Sequence, residues 1–314
     1  MSQSRRTSRH RVWTVLTLPA LLCVLAACSG GSASGGGADT AAPSASPTPS
    51  GPPGTLFDNF HYSGPDDPSL TANGWEVRNG AGSPGIKDTW SSAGAGFPSD
   101  TTAQGGRVLQ LQASTDGTKQ GTRQVEVQST GTGLFTGTYA ARVHFSNKPT
   151  SGRNGDHVVQ TFFSISPSDS SANYSELDHE YLPNGGWGSV GPQLDTVSWY
   201  KADPPDRVSH TSKQRLDGWH IMMITAVNGK ATYSLDGKEL FTSSGKYVPR
   251  EKMDIHFSNW FIDLPFTGGP RAWDMKVNWF YYKAGEAVSL AEVQKTVDGF
   301  YSAGANYINT VPKS

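Results

Sequence analysis

Between Gly218 and Leu240 the chain reads GWHIMMITAVNGKATYSLDGKEL. Asn228-Gly229 and Asp236-Gly237 are dipeptides that accept the left-handed backbone of a tight hairpin, and the runs beside them, His220 to Val227 and Lys230 to Leu235, are rich in β-formers. Such a segment pairs with itself as antiparallel strands. The same grammar recurs along the chain. Arg107 to Ala113, Arg123 to Gln128, Gly137 to Phe145, His157 to Ile165, Ser175 to Leu182, Leu194 to Tyr200, Met253 to Phe261 and Met275 to Tyr282 all read as short strands between turn residues. Charged residues are sparse at 17% and aromatics plentiful at 11%, the balance of an all-β extracellular domain. Many short strands and almost no helical periodicity favour two packed antiparallel sheets. From Thr55 to Ala284 there is chain enough for one substantial core.

One helix is expected after the last strand. Ser289 and Glu292 form a capping box, and Leu290, Val293, Val297 and Phe300 make an apolar stripe that suits packing on the parent domain. Residues 285–314 are therefore assigned to a C-terminal helical extension.

The other end of the 314-residue chain reads as an address. Arg5, Arg6, Arg9 and Arg11 precede an apolar run from Val12 to Val24, too short to span a bilayer, so residues 1–27 are expected to be a secretory signal. The run ends in Leu25-Ala26-Ala27-Cys28, which resembles the bacterial lipobox; an ordinary cleavage site is the alternative. The resemblance implies a Cys28 that is lipidated and anchors the chain to the outside of the cell membrane. Cys23 leaves with the signal, so no thiol chemistry is expected of the mature domain. Residues 28–54 are mostly Ser, Gly, Ala, Pro and Thr and are expected to be a disordered tether. Past the signal the chain has 22 basic against 27 acidic residues and no basic run, which argues against nucleic acid as a partner.

Residues 174–188 read YSELDHEYLPNGGWG. In an extended strand Glu176, Asp178 and Glu180 point one way, and Leu177, His179 and Tyr181 the other. A solvated outer face would explain alternate polar residues, yet three like charges on adjacent same-face sites repel, and such a face more often mixes in Lys, Thr or Ser. Glu176 and Glu180 have Cα atoms about 13 Å apart at ~3.3 Å per residue. Side chains leaning inward by roughly 4 Å each bring their carboxyls to about 5 Å, the separation of a retaining glycosidase pair. One Glu then attacks an anomeric carbon and the other protonates the leaving oxygen. Crowded negative charge keeps one member of the group protonated near neutral pH.

The Glu-Leu-Asp-His-Glu run resembles the E-x-D-x-E signature of glycoside hydrolase family 16, and the resemblance runs in order along most of residues 55–284. LFDNF and Gly74-Trp75 look like the opening strand of that family. GTYAARVHF, the 218–240 hairpin, MDIHFSNW and VNWFYY look like its later strands. The resemblance implies an all-β jelly-roll sandwich of the concanavalin A-like type with a substrate cleft, acting inside β-linked polysaccharides with retention. It gives Glu176 as nucleophile, Asp178 as its helper and Glu180 as acid/base. His179 stands where the family usually has an apolar residue, and the alternation turns it into the core. Ala226 stands where Trp is common.

Sugar sites combine flat aromatic faces with a few fixed polar groups. In MDIHFSNW, His256, Ser258 and Trp260 share the face opposite Met253, Ile255 and Phe257, and are candidate substrate-binding residues. Trp187, in a Gly-rich loop beyond the acids, and Trp199, on the next strand, are further candidates; Trp90 and Trp273 are weaker ones. No cofactor or metal-ligand motif is visible. A structural Ca²⁺ occurs in parts of the family, but no Asp-rich loop here demands it. The expected protein is a monomeric endo-glycosidase of β-glucan-type polysaccharide, held to the membrane only by its lipid. A non-catalytic carbohydrate-binding lipoprotein and a transglycosylase using the same carboxylates are the alternatives.

Overall fold

The computed structural model describes residues 51–131 and 133–312. The signal segment, Cys28 and most of the tether lie outside the described residues. Two antiparallel sheets make up the fold. The front sheet runs, edge to edge, β12 (Asp206–Ser212), β11 (Gln193–Lys201), β8 (Glu176–Leu182), β7 (Val158–Ile165), β16 (Asp254–Phe261), β5 (Val125–Ser129) and β2 (Trp75–Val77). The back sheet runs β15 (Lys238–Ser244), β14 (Lys230–Leu235), β13 (Gly218–Val227), β6 (Gly137–Phe145), β17 (Arg271–Ala284), β1 (Thr55–Asp58) and β18 (Tyr307–Asn309). In addition β4 (Leu109–Thr115) pairs with β17, and β3 (Ala95–Gly96) pairs with β4. A small hairpin of β9 (Gly185–Gly186) and β10 (Ser189–Val190) follows β8. The result is the jelly-roll sandwich expected from the strand pattern.

The turn chemistry accounts for the hairpins of the back sheet. Asn228 and Gly229 have φ of 51° and 71°, and Asp236 and Gly237 have φ of 50° and 80°, so each pair supplies the two left-handed residues that a tight hairpin joining β13, β14 and β15 needs. Between the sheets, alternate residues of each strand meet in one core. Phe162, Phe257 and Phe280 lie there fully buried, with the Phe162 and Phe257 rings stacked at 5.3 Å. From β8, Leu177, His179 and Tyr181 are all buried in this layer. His179 sits beside Phe162, meets the Tyr233 ring edge-on at 5.3 Å, and places Nε2 3.1 Å from the Met223 carbonyl of the back sheet. Burial pushes its imidazole down to about 4, so it is a neutral core residue that ties β8 to the opposite sheet.

The segment after β17 does more than add a helix. In the helix Leu290–Ser302, Ser289 and Glu292 form the expected capping box, and Val293, Val297 and Phe300 bury against Phe57, Ile221, Met223 and Trp279 on the outer face of the back sheet. The chain then returns as β18, which pairs with β1 through Phe57 and Ile308. The sandwich therefore does not end at Ala284: its back sheet takes an edge strand from the last residues.

Candidate active site

The site is built on β8, third from an edge of the front sheet. The strand period turns Glu176, Asp178 and Glu180 away from the core, and pairing fixes their neighbours. Glu176 lies opposite Trp199 and Ile165, Asp178 opposite Val197 and Phe163, and Glu180 opposite Asp195 and Thr161. Residues level with one another on antiparallel strands share a face, and all of these except Val197 and Asp195 line the floor of one depression. It is a cleft of about 770 Å³, and all three acids line it together with Trp187, Trp199, Trp260 and His256.

The three carboxyls do not share one environment. Asp178 is 4% exposed; its Oδ2 accepts a hydrogen bond from Trp199 Nε1 at 2.8 Å, while its Oδ1 is buried without a donor. Burial, then the charges of Glu176 and Glu180, hold its carboxyl well above the usual range. Glu180 is half-buried. Desolvation, with the charges of Glu176 and Asp195, pushes it up to about 8, against the pull of Arg207. Glu176 is raised by burial to about 7, but the hydrogen bond from Tyr174 and the charge of His256 act the other way. Three carboxyls this close lose their protons as a set. The arrangement offers one carboxylate held by the Tyr174 phenol and, four residues on along the same face, a carboxylic acid that keeps its proton near neutral pH.

The other expected residues divide. Trp260 is 6% exposed and lines the cleft, with the Trp187 ring 6.0 Å away at 56°. Trp187 is 55% exposed and takes a φ of 49°, a backbone that costs a bulky residue energy and that recurs at ligand sites. Trp199 carries the Arg207 guanidinium over its ring at 4.4 Å. His256 reaches the cleft with Nδ1 3.5 Å from Glu126 Oε1. Ser258 does not reach it. The residue shares the correct face but is fully buried, its Oγ 2.6 Å from Thr161 Oγ1, because Thr161 and Glu126 flank it at the same level and overreach its short side chain. Thr161 lines the cleft in its place. Trp273 belongs to the core, bonded to Asp156, and Trp90 lies under the Arg78 guanidinium.

Sequence reasoning missed Tyr174, Glu126, Arg78 and Arg207, all lining or touching the site. Glu126 is 2% exposed and pairs with Arg78 at 3.2 Å; burial would raise it, but His256 and Arg78 together hold it below its usual value. Its signal was present, since Gln124, Glu126 and Gln128 alternate with Val125 and Val127. Tyr174 had a signal too, two residues before Glu176 on the same alternation.

No family model matches the chain, and no curated protein matches it in sequence. The fold, by contrast, has solved counterparts. A β-glucanase from Bacillus licheniformis superposes with a TM-score of 0.55 at 14% identity, covering 73% of this chain and 98% of that one. A glycoside hydrolase family 16 protein of a Bacteroides ovatus mixed-linkage glucan locus, solved with a G4G4G3G product, gives 0.55 at 14% identity over 71% of this chain and 98% of that one. An immunostimulatory antigen and pseudo β-1,3-glucanase of Mycobacterium tuberculosis gives 0.53 at 20% identity over 74% of this chain and all of that one. The class the fold defines is thus the jelly-roll sandwich of the family 16 glycoside hydrolase structures.

Proposed function

We propose that this chain is a family 16 glycoside hydrolase that cleaves within β-linked, β-glucan-type polysaccharide by a retaining double displacement. The observation that carries the reading is the convergence of Glu176, Asp178 and Glu180 on one face of β8 inside the cleft, with Glu176 held by the Tyr174 phenol and Glu180 raised to about 8. In the first step Glu176 attacks the anomeric carbon while Glu180 gives its proton to the departing glycosidic oxygen. In the second, Glu180 takes a proton from water, the water attacks the same carbon, and Glu176 leaves as a carboxylate. Asp178 lends its proton as a hydrogen bond to Glu176 whenever that carboxylate carries charge. Trp260 and Trp187 supply apolar faces for pyranose rings, and the Glu126, Arg78 and His256 group supplies polar contacts along the cleft. The glucan class follows the neighbours, all three of which are named for glucan. Export and anchoring through Cys28 complete the proposal, on the strength of the N-terminal sequence alone.

Reducing-sugar release across mixed-linkage glucan, laminarin and galactan tests the activity. Proton NMR of the first product is expected to show the β-anomer before mutarotation; an initial α-anomer would overturn the retaining mechanism. Trp199→Phe, which removes the donor to Asp178 but keeps a ring, is expected to lower kcat/KM about 10-fold, the worth of one hydrogen bond of about 1.4 kcal/mol. An unchanged value would remove Trp199 from the machinery. A second reading, a carbohydrate-binding protein without turnover, draws support from the mycobacterial pseudo-glucanase on the same fold. Binding to one polymer with no release from any would favour it. Transglycosylation uses the same residues and would appear as products longer than the starting oligosaccharide.

A further inference from the structure

Tyr174 lies outside the acidic signature, yet it is 3% exposed and its phenol donates a hydrogen bond to Glu176 Oε2. The segment bearing it is tied down from several sides. The Arg250 guanidinium donates to the carbonyls of Tyr174, Tyr200 and Ala172 and lies over the Tyr200 ring at 4.1 Å. The Arg250 amide donates to Ser175 Oγ at 3.0 Å, and the Ser175 amide to Ser166 Oγ at 2.8 Å. Ser171 Oγ donates to Glu251 Oε2 at 2.7 Å. The phenol is thus a preset donor, held in position by the fold itself.

We propose that Tyr174 is a positioning residue for Glu176, fixing the carboxylate and favouring its charged form, with Arg250 as the latch that holds the tyrosine there. The inference rests on the catalytic reading of Glu176. A hydrogen bond to a carboxylate is about twice as strong as one to a neutral carbonyl, so the phenol stabilises free Glu176 more than the glycosyl ester it forms. The assistance therefore falls mainly on the second step, when Glu176 departs as an anion. Burial and the neighbouring Glu176 charge raise the phenol far above its ordinary value, so it remains a donor across the working pH range.

The test is Tyr174→Phe in the full chain, which removes only the hydroxyl. The acid limb of kcat/KM is expected to move up by about one pH unit, because the lost donor favoured the ionised form. On an activated aryl β-glucoside kcat is expected to fall about 10-fold and KM to fall with it, as the glycosyl-enzyme accumulates. Replacing Tyr174 with 3,5-difluorotyrosine, a stronger donor of nearly the same shape, is expected to move the limb down, an effect that a space-filling role would not produce. A ¹³C NMR titration of the labelled Glu176 carboxyl reads the same coupling without turnover, so it decides the case even if no polymer is cleaved and the glycosidase reading falls. A Glu176 midpoint that is the same in wild type and in both variants would overturn the proposal.

Discussion

Glu176→Gln is expected to lower kcat/KM on a β-glucan by about 10⁴-fold or more, and to do so equally for polymer and for aryl glycosides. An amide cannot form the glycosyl ester, whatever the leaving group. Glu180→Gln is expected to behave differently. On polymer, whose departing sugar hydroxyl needs a proton, the loss is expected to be about 10²–10⁴-fold, the usual worth of a general acid. On an aryl glycoside with an acidic phenol the first step proceeds without that proton, so a burst of phenol is expected, followed by slow turnover for want of a base. The asymmetry distinguishes the two carboxylates even though strand period makes them look alike. Circular dichroism would verify that both variants keep their fold. Equal losses on both substrates for both variants would remove the distinct roles, and retained turnover in Glu176→Gln would remove the mechanism.

Much of this arrangement is visible in the sequence, and what is hidden has a physical reason. The acids are legible because a strand period of two puts Glu176, Asp178 and Glu180 on one side while Leu177, His179 and Tyr181 occupy the core. The strands that the pattern did not announce include β12, β15, β18 and β2, and each of these is an edge strand. An edge strand has fewer buried partners and writes a weaker alternation; in DRVSHTS of β12 no side chain is fully buried. The polar partners of the site were hidden for another reason. Arg78 and Glu126 come together only through the pairing of β2 with β5, and Glu126 meets His256 through that of β5 with β16, so sheet register over long chain separations creates the group. Ser258 marks a limit of periodicity itself. Alternation gives the face of a side chain, but its depth depends on how far the neighbours at its level extend, here Thr161 and Glu126.

Such a site also costs stability, and the cost has a pH signature. Burial raises Glu176 to about 7 and Glu180 to about 8 and holds Asp178 well above its usual range; away from the cleft it also raises Asp58, buried at the end of β1, to about 7. An unfolded chain releases these protons near pH 4, so between pH 4 and 8 the folded state binds more protons than the unfolded one, and stability falls as pH rises. His179, pushed down to about 4, and His144, which burial also lowers, work in the opposite sense up to about pH 6.5, but they are two groups against four. Each pH unit by which a carboxyl is raised is worth about 1.36 kcal/mol for an independent group, less where neighbouring carboxyls share protons, so the loss from pH 4.5 to 8 is expected to reach several kcal/mol. For a domain of this size that is a fall in Tm of roughly 10 °C. Glu180→Gln replaces one of the raised carboxyls with a group that cannot ionise and relieves its repulsion with Glu176 and Asp195. The variant is therefore expected to match wild type at pH 4.5 and to melt several degrees higher at pH 8, a gain in stability at the position whose loss most impairs proton transfer. Thermal melts of both proteins across that range measure it directly. A wild-type Tm that does not fall, or a variant gain as large at pH 4.5 as at pH 8, would mean that Glu180 and its neighbours are not held protonated by their surroundings, and Glu180 could not then serve as the acid of the first step.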